Sequence, residues 1–238
     1  MTPNPKEILG RFIATQITPG SIIAVGTGST VDAVVRAIGM RIAEEKFSIT
    51  VVPTSIETAL LCASVGCTVL SPHAIPTEIA WGFDGADEVD DRLRLIKGLG
   101  GALLREKIVA SHCRSFTILV DESKLVHRLG ERCAVPVEII PEAVSLVTRE
   151  LRALGATDIT LRDGRSGKHG PAITEAGNAI LDARFSEITG ELPRHIKGIV
   201  GVVEHGIFVD RCDQVIIASP DGLITERLSP RGVGFVKL

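Results

Sequence analysis

Short β-branched runs alternate with longer stretches of helical spacing through most of this chain, the pattern of a parallel sheet with helices on its faces. Residues 21–25 (SIIAV) predict the first strand, broken by Gly26-Thr27-Gly28-Ser29-Thr30. Apolar positions then recur at Val31, Val34, Val35, Ile38 and Ile42, one face of a helix. The rhythm continues with a strand at 49–53, a helix through Leu60 and Leu61, and strands at 68–70, 79–83 and 116–120.

Beyond about residue 130 the order changes. Strands are expected at 135–140, 157–161, 178–183 and 199–203, with helices over 142–154 and from 186 to about 195. That βαββαβ order is the split βαβ, ferredoxin-like arrangement. Residues 214–218 (QVIIA) return to a buried strand, closed by the turn Ser219-Pro220-Asp221-Gly222. The expected fold is therefore α/β: a Rossmann-like parallel-sheet domain formed by residues 1–130 and 207–238, carrying an inserted, smaller α+β domain over 131–206. The loop 163–170 (DGRSGKHG) reads as mobile.

A length of 238 residues suffices for one large domain or two modest ones, and 45% apolar with 23% charged residues is ordinary globular composition. The net charge of -3 leaves no basic excess for nucleic acid, and 3% aromatics leave few stacking platforms. No window approaches the length of a membrane span and no leader pattern opens the chain, so a cytoplasmic protein is expected. Cys62, Cys67, Cys113, Cys133 and Cys212 are scattered, which points to packed thiols rather than a disulfide framework or zinc knuckle. The six histidines form no close ligand pair, so no metal is expected.

Four segments could carry chemistry. The glycine turn 26–30 lies where a strand enters a helix; backbone N–H groups and the Thr27, Ser29 and Thr30 hydroxyls could hold a phosphate. The alternative is a tight βα turn with a Ser or Thr cap. A dinucleotide is disfavoured because Val31 stands where the third glycine of G-x-G-x-x-G belongs, and the lysine of a Walker A loop is absent. In Asp84-Gly85-Ala86-Asp87-Glu88-Val89-Asp90-Asp91, at the end of the 79–83 strand, Asp84 and Asp87 could share one ligand, or the run could be a solvated acidic turn.

The third segment, Lys97-Gly98-Leu99-Gly100-Gly101 leading into Ala102-Leu103-Leu104-Arg105-Glu106-Lys107, puts Glu106 on a helix face with Ala102, Leu103, Val109 and Ala110. An apolar stripe would desolvate that carboxylate and make it a stronger base, whereas the usual outcome for a Glu flanked by Arg105 and Lys107 is a solvated face. Lys97 could stand beside an oxygen that becomes negative, or be an ordinary lysine. The fourth, Asp121-Glu122-Ser123-Lys124, follows the 116–120 strand, where Lys124 could reach a phosphate or lie in an exposed loop.

Taken together and in this order, GTGST at 26–30, DGADE at 84–88, KG-x-GG-x-L-x-REK across 97–107 and D-x-SK at 121–124 resemble the ribose-5-phosphate isomerase A family. PVEIIP at 136–141 and SPDG at 219–222 add to the likeness. The resemblance implies a metal-free and cofactor-free interconversion of D-ribose 5-phosphate and D-ribulose 5-phosphate in the pentose phosphate pathway, by a dimer or tetramer. It implies Glu106 as the base moving a proton between C2 and C1, and Lys97 with the Gly98 and Gly100 amides as oxyanion donors. Asp84 and Asp87, with Gly85 and Ala86 between them, would bind the sugar hydroxyls and assist ring opening. Thr27, Gly28, Ser29, Thr30 and Lys124 would hold the phosphate, joined by Lys6. Leu99 departs from the three consecutive glycines of many relatives, and the backbone contact survives there if its φ is negative and its side chain points away. A sugar-phosphate sensor would need a helix-turn-helix module for which the residues before 21 leave no room. The motif order also disfavours a sugar-phosphate deaminase or an acyl-CoA transferase.

Overall fold

The computed structural model describes residues 4–75, 78–164 and 169–229. In chain order the elements are α1 (Pro5–Gln16), β1 (Ile22–Val25), α2 (Ser29–Glu45), β2 (Thr50–Pro53), α3 (Ile56–Ser64), β3 (Thr68–Val69), β4 (Ile79–Gly85), β5 (Glu88–Val89) and β6 (Leu95–Ile96). They continue with α4 (Leu103–Ser111), β7 (Cys113–Asp121), β8 (Val135–Ile139), α5 (Val144–Ala153), β9 (Ala156–Leu161) and β10 (Ala179–Phe185). The chain ends with α6 (Leu192–Lys197), β11 (Val202–His205), β12 (Ile207–Phe208), β13 (Gln214–Ala218) and β14 (Ile224–Leu228).

By internal packing these divide into two units. The first takes the described residues up to Ala86, Arg105–Leu125 and those from Asp210 onward; the second takes Asp87–Leu104 and Val126–Val209. The sequence-drawn division kept residues 87–104, 126–130 and 207–209 with the first unit. Here Ile96, Val126, Leu129 and Ile207 are buried in one core with Val135, Val137 and Ile139, and Lys97 donates its N–H to Gly206 O, 2.9 Å away, which ties these stretches to the second.

The first unit is α/β. Its seven-stranded sheet runs β14-β13-β7-β4-β1-β2-β3, parallel except for the antiparallel edge strand β14. The buried pattern of β1, β2 and β13 is the near-continuous apolar run of a sheet covered on both faces. After β1 the chain builds outward through β2 and β3 and then returns to add β4 on the other side, so the strand order reverses between β1 and β4, where α/β proteins place ligands. The helix α1, not expected from the sequence, starts at Pro5 with Asn4 accepting the Lys6 N–H, and buries Leu9 and Ile13 in the main core. It approaches α2 so closely that a Cβ on Gly10 would lie 2.7 Å from Ala33 O.

In the second unit a four-stranded antiparallel sheet runs β11-β8-β10-β9 in the element order βαββαβ, with Val147, Leu151, Leu192 and Ile196 of its two helices in the core. A separate three-stranded sheet, β12-β6-β5, had no counterpart in the sequence reading. Two further expectations are corrected. The helix expected from 186 starts at Leu192, because Pro193 fits only a helix's first turn. The strand expected from 199 starts at Val202, after Gly201 turns the backbone at φ +93°. Of the loop expected to be mobile, residues 165–168 lie outside the described residues. All five cysteines are free thiols.

Candidate active site

In the first unit three loops leave the carboxyl ends of the neighbouring strands β1, β4 and β7. The β1 loop carries Thr27 and Gly28, with Ser29 and Thr30 opening α2. Gly28 caps the helix at φ +108°, a region open to glycine, and contributes no side chain to the first-turn amides. The alternative of a Ser or Thr cap therefore does not hold, and the helix start is left as a backbone cradle of the kind that accepts anions. Lys6 Nζ donates to Ser29 Oγ at 2.7 Å, which brings a cation to the same turn. The Thr27 hydroxyl lies 2.7 Å from Thr54 Oγ1, and Thr58 donates to it at 3.4 Å. This buried hydroxyl cluster after β2 escaped the sequence reading; its signal was Pro53-Thr54-Ser55 at the end of a strand adjacent to β1.

Asp84 is the penultimate residue of β4 and is fully buried. Its Oδ1 accepts the backbone N–H of Thr27 at 3.0 Å and of Gly85 at 2.7 Å. Gly26 permits this approach, since a Cβ there would fall 2.0 Å from Asp84 Cγ. After β7, Asp121 accepts the Ser123 N–H at 2.9 Å and so caps a single turn that leaves Lys124 half-buried. Asp32 in the first turn of α2 has its carboxyl held above the usual range, chiefly by burial and then by the Glu57 charge.

Glu106 sits in the first turn of α4 and is only 4% exposed, while Leu103, Val109 and Ala110 on the same face are buried. The solvated-face alternative fails for this residue: the stripe expected from 3.6-residue spacing is present, and the carboxylate lies within it.

In the second unit Lys97 is 3% exposed. Its N–H donates to Gly206 O at 2.9 Å and its Nζ stands 5.7 Å from the centroid of the Phe208 ring. Left-handed backbone falls on Gly98 (φ +101°) and Gly101 (φ +84°), whereas Leu99 avoids that region and is 46% exposed. The departure at Leu99 is thus absorbed without strain, and its N–H donates to Asp87 Oδ2 at 3.0 Å. Gly98 cannot be replaced as easily, because a Cβ would lie 2.7 Å from that of Leu103.

The acidic run separates into distinct roles. Glu88, fully buried, accepts the N–H groups of Gly130, Arg132 and Cys133 at 2.6–2.7 Å. Asp90 accepts the N–H groups of Arg92 and Arg94 and pairs with the Arg94 guanidinium at 2.7 Å. Both hold the second unit's own loops, so Asp84 and Asp87 remain the candidates for a ligand. Among the described residues no cluster of three or more His, Cys, Asp or Glu is arranged for a metal ion, and no helix is long and apolar enough to cross a membrane.

Residues 50–222 match the family model of ribose 5-phosphate isomerase A (phosphoriboisomerase A). The chain belongs to that family. It is similar to ribose-5-phosphate isomerase A of Methanothermobacter thermautotrophicus, with 41% identity over 92% of this chain and 96% of the relative. Among solved structures it is similar to ribose 5-phosphate isomerase A of Methanocaldococcus jannaschii, at 37% identity and a TM-score of 0.86 over 94% of this chain and 98% of that one. A D-ribose-5-phosphate isomerase solved in complex with phospho-erythronic acid superposes with a TM-score of 0.88 at 37% identity, over 94% and 97% of the two chains. Of the four segments singled out in the sequence, the β1 turn, Asp84, Glu106 and Lys124 lie in the first unit, and Asp87 with the Lys97 glycine turn in the second.

Proposed function

We propose that this chain interconverts D-ribose 5-phosphate and D-ribulose 5-phosphate, in the pentose phosphate pathway, through a cis-enediol(ate). The observation that carries the reading is a buried Glu106 on an apolar helix stripe, in a chain of this family. Glu106 takes the C2 proton of the open-chain aldose and returns it to C1, while the proton on O2 is exchanged for one on O1; no atom leaves the sugar. A positioned base supplies about 10²–10⁴ in rate, so charge stabilisation must supply more. Lys97 and the amides of Gly98 and Gly100 stabilise the developing oxyanion. Asp84 and Asp87 bind hydroxyls and assist ring opening, with Gly85 and Ala86 lining the same stretch and Leu99 lending its backbone. Thr27, Gly28, Ser29, Thr30 and Lys124 hold the phosphate, with Lys6 beside Ser29, so that binding energy at one end orients C1 and C2 at the other.

The same reading makes the first unit Rossmann-like and the second, from its βαββαβ order, ferredoxin-like. It also makes the enzyme a cytoplasmic homodimer without cofactor, which light scattering would check. The test of function is ketose formation from D-ribose 5-phosphate by purified protein in excess EDTA. Fast turnover is expected; a folded protein that binds the sugar phosphate without turning it over overturns the reading.

A further inference from the structure

We propose that Arg162, braced by Asp182, is a positioning residue for the reaction, acting through the Lys97 glycine turn; the inference rests on the function proposed above. Arg162 directly follows β9, and Asp182 lies in the neighbouring strand β10. Two edges of the guanidinium are used at once. Nε and Nη2 grip Asp182 at 2.8 and 2.5 Å, while Nη1 donates to the carbonyls of both Gly98 and Leu99, each at 3.0 Å. The backbone of Arg162 is itself anchored, its N–H on Ile180 O at 2.9 Å and its carbonyl accepting the Ala172 N–H at 2.7 Å.

The consequence follows from the planar trans peptide, in which the carbonyl of one residue and the N–H of the next point in opposite directions. Holding Gly98 C=O toward Arg162 aims the Leu99 N–H away from it, and that N–H meets Asp87 Oδ2. Holding Leu99 C=O in the same way aims the Gly100 N–H away from the guanidinium, and that N–H is one of the oxyanion donors of the proposed mechanism. The cation also polarises both peptides, which strengthens their N–H groups as donors. Glycines at 98, 100 and 101 give this turn much freedom, so an external clamp is what selects one orientation. A lysine could not replace the arginine, because a point ammonium cannot serve a carboxylate and two carbonyls in one plane.

The test compares wild type, Arg162→Ala, Arg162→Lys and Asp182→Asn in kcat, KM for D-ribose 5-phosphate and Tm. The expected result is a kcat about 10–100-fold lower in both Arg162 variants, a smaller loss in Asp182→Asn, and KM within about 3-fold. Guanidinium ion at millimolar concentration should restore part of the kcat of Arg162→Ala, a response that lost stability would not produce. Should Arg162→Ala fail to fold, Asp182→Asn and Arg162→Lys carry the same comparison. Wild-type kcat in Arg162→Lys, or losses that follow only the folded fraction with no guanidinium response, would overturn the inference while leaving the function intact. A wild type with no turnover removes the function first, and this inference with it.

Discussion

Asp84 Oδ1 accepts the backbone N–H of Thr27, 3.0 Å away, so the carboxylate near the end of β4 is fastened to the turn that follows β1. The two proposed ends of the substrate site, hydroxyl-binding and phosphate-binding, are thereby coupled within the first unit. Gly26 is what lets them meet. In Gly26→Ala the new methyl falls on the Asp84 carboxyl, at 2.0 Å from Cγ, and either the turn or the carboxylate must move. Overpacking of this kind costs about 1–3 kcal/mol, and here it strikes both ends of the site. The expected outcome is a rise in KM of at least about 10-fold together with a lower kcat, read by steady-state kinetics on protein whose circular dichroism is unchanged.

Glu106→Gln keeps shape and removes the base. The proposed mechanism gives that carboxylate the C2 proton, so kcat should fall by about 10²–10⁴ while KM changes little. Exchange of the substrate C2 proton with solvent, followed by NMR, should disappear along with turnover. Near-normal kcat in the folded variant would remove Glu106 from its role.

Glu88 offers the opposite expectation only four residues from Asp84. Its carboxylate holds three backbone N–H groups of residues 130–133, so it acts on the fold of the second unit. Glu88→Gln exchanges one accepting oxygen for a donor that faces other donors, and should destabilise by about 2–3 kcal/mol. Urea unfolding measures the loss. The kcat per folded molecule should stay within about 3-fold of wild type, and a kcat loss matching that of Glu106→Gln would place Glu88 in the chemistry instead.

The contrast between Asp84 and Glu88 marks how far the sequence could be read. Local patterns carried the glycine turn at 26–30, the carboxylate at the end of β4 and the Glu106 stripe, because strand ends, glycines and helical spacing leave their trace within a dozen residues. Nothing within DGADEVDD separates a ligand-facing carboxylate from one that staples a loop, since the partners of Glu88 lie 42 to 45 residues further on. Arg162 was invisible for the same reason, its acceptors being 63 and 64 residues away. The small sheet β12-β6-β5 was missed because strands of two residues have no period to detect. The helix α1 was legible in principle through Asn4-Pro5 and the Leu9 and Ile13 spacing, which a reading that began at the first strand passed over.

Cys113, at the start of β7, gives the fold a dependence on alkaline pH. Burial, with the charges of Asp213 and Glu78, pushes its thiol up to about 12, and Sγ donates to Val109 O at 3.4 Å. Well below pH 9 the thiol is protonated whether the chain is folded or not, so pH has little effect through it. Between 9 and 12 the unfolded chain releases this proton and the folded chain retains it, so stability falls as pH rises. At pH 10, one unit above the ordinary thiol value of 9.0, the loss is about 1.4 kcal/mol. Urea unfolding of wild type and Cys113→Ala at pH 8 and pH 10 isolates this contribution, because every other titrating group is common to both proteins. The wild type should lose about 1 kcal/mol more than the variant over that interval, and iodoacetamide should label Cys113 slowly at pH 8. Equal losses in the two proteins would mean that the folded thiol ionises as readily as an unfolded one.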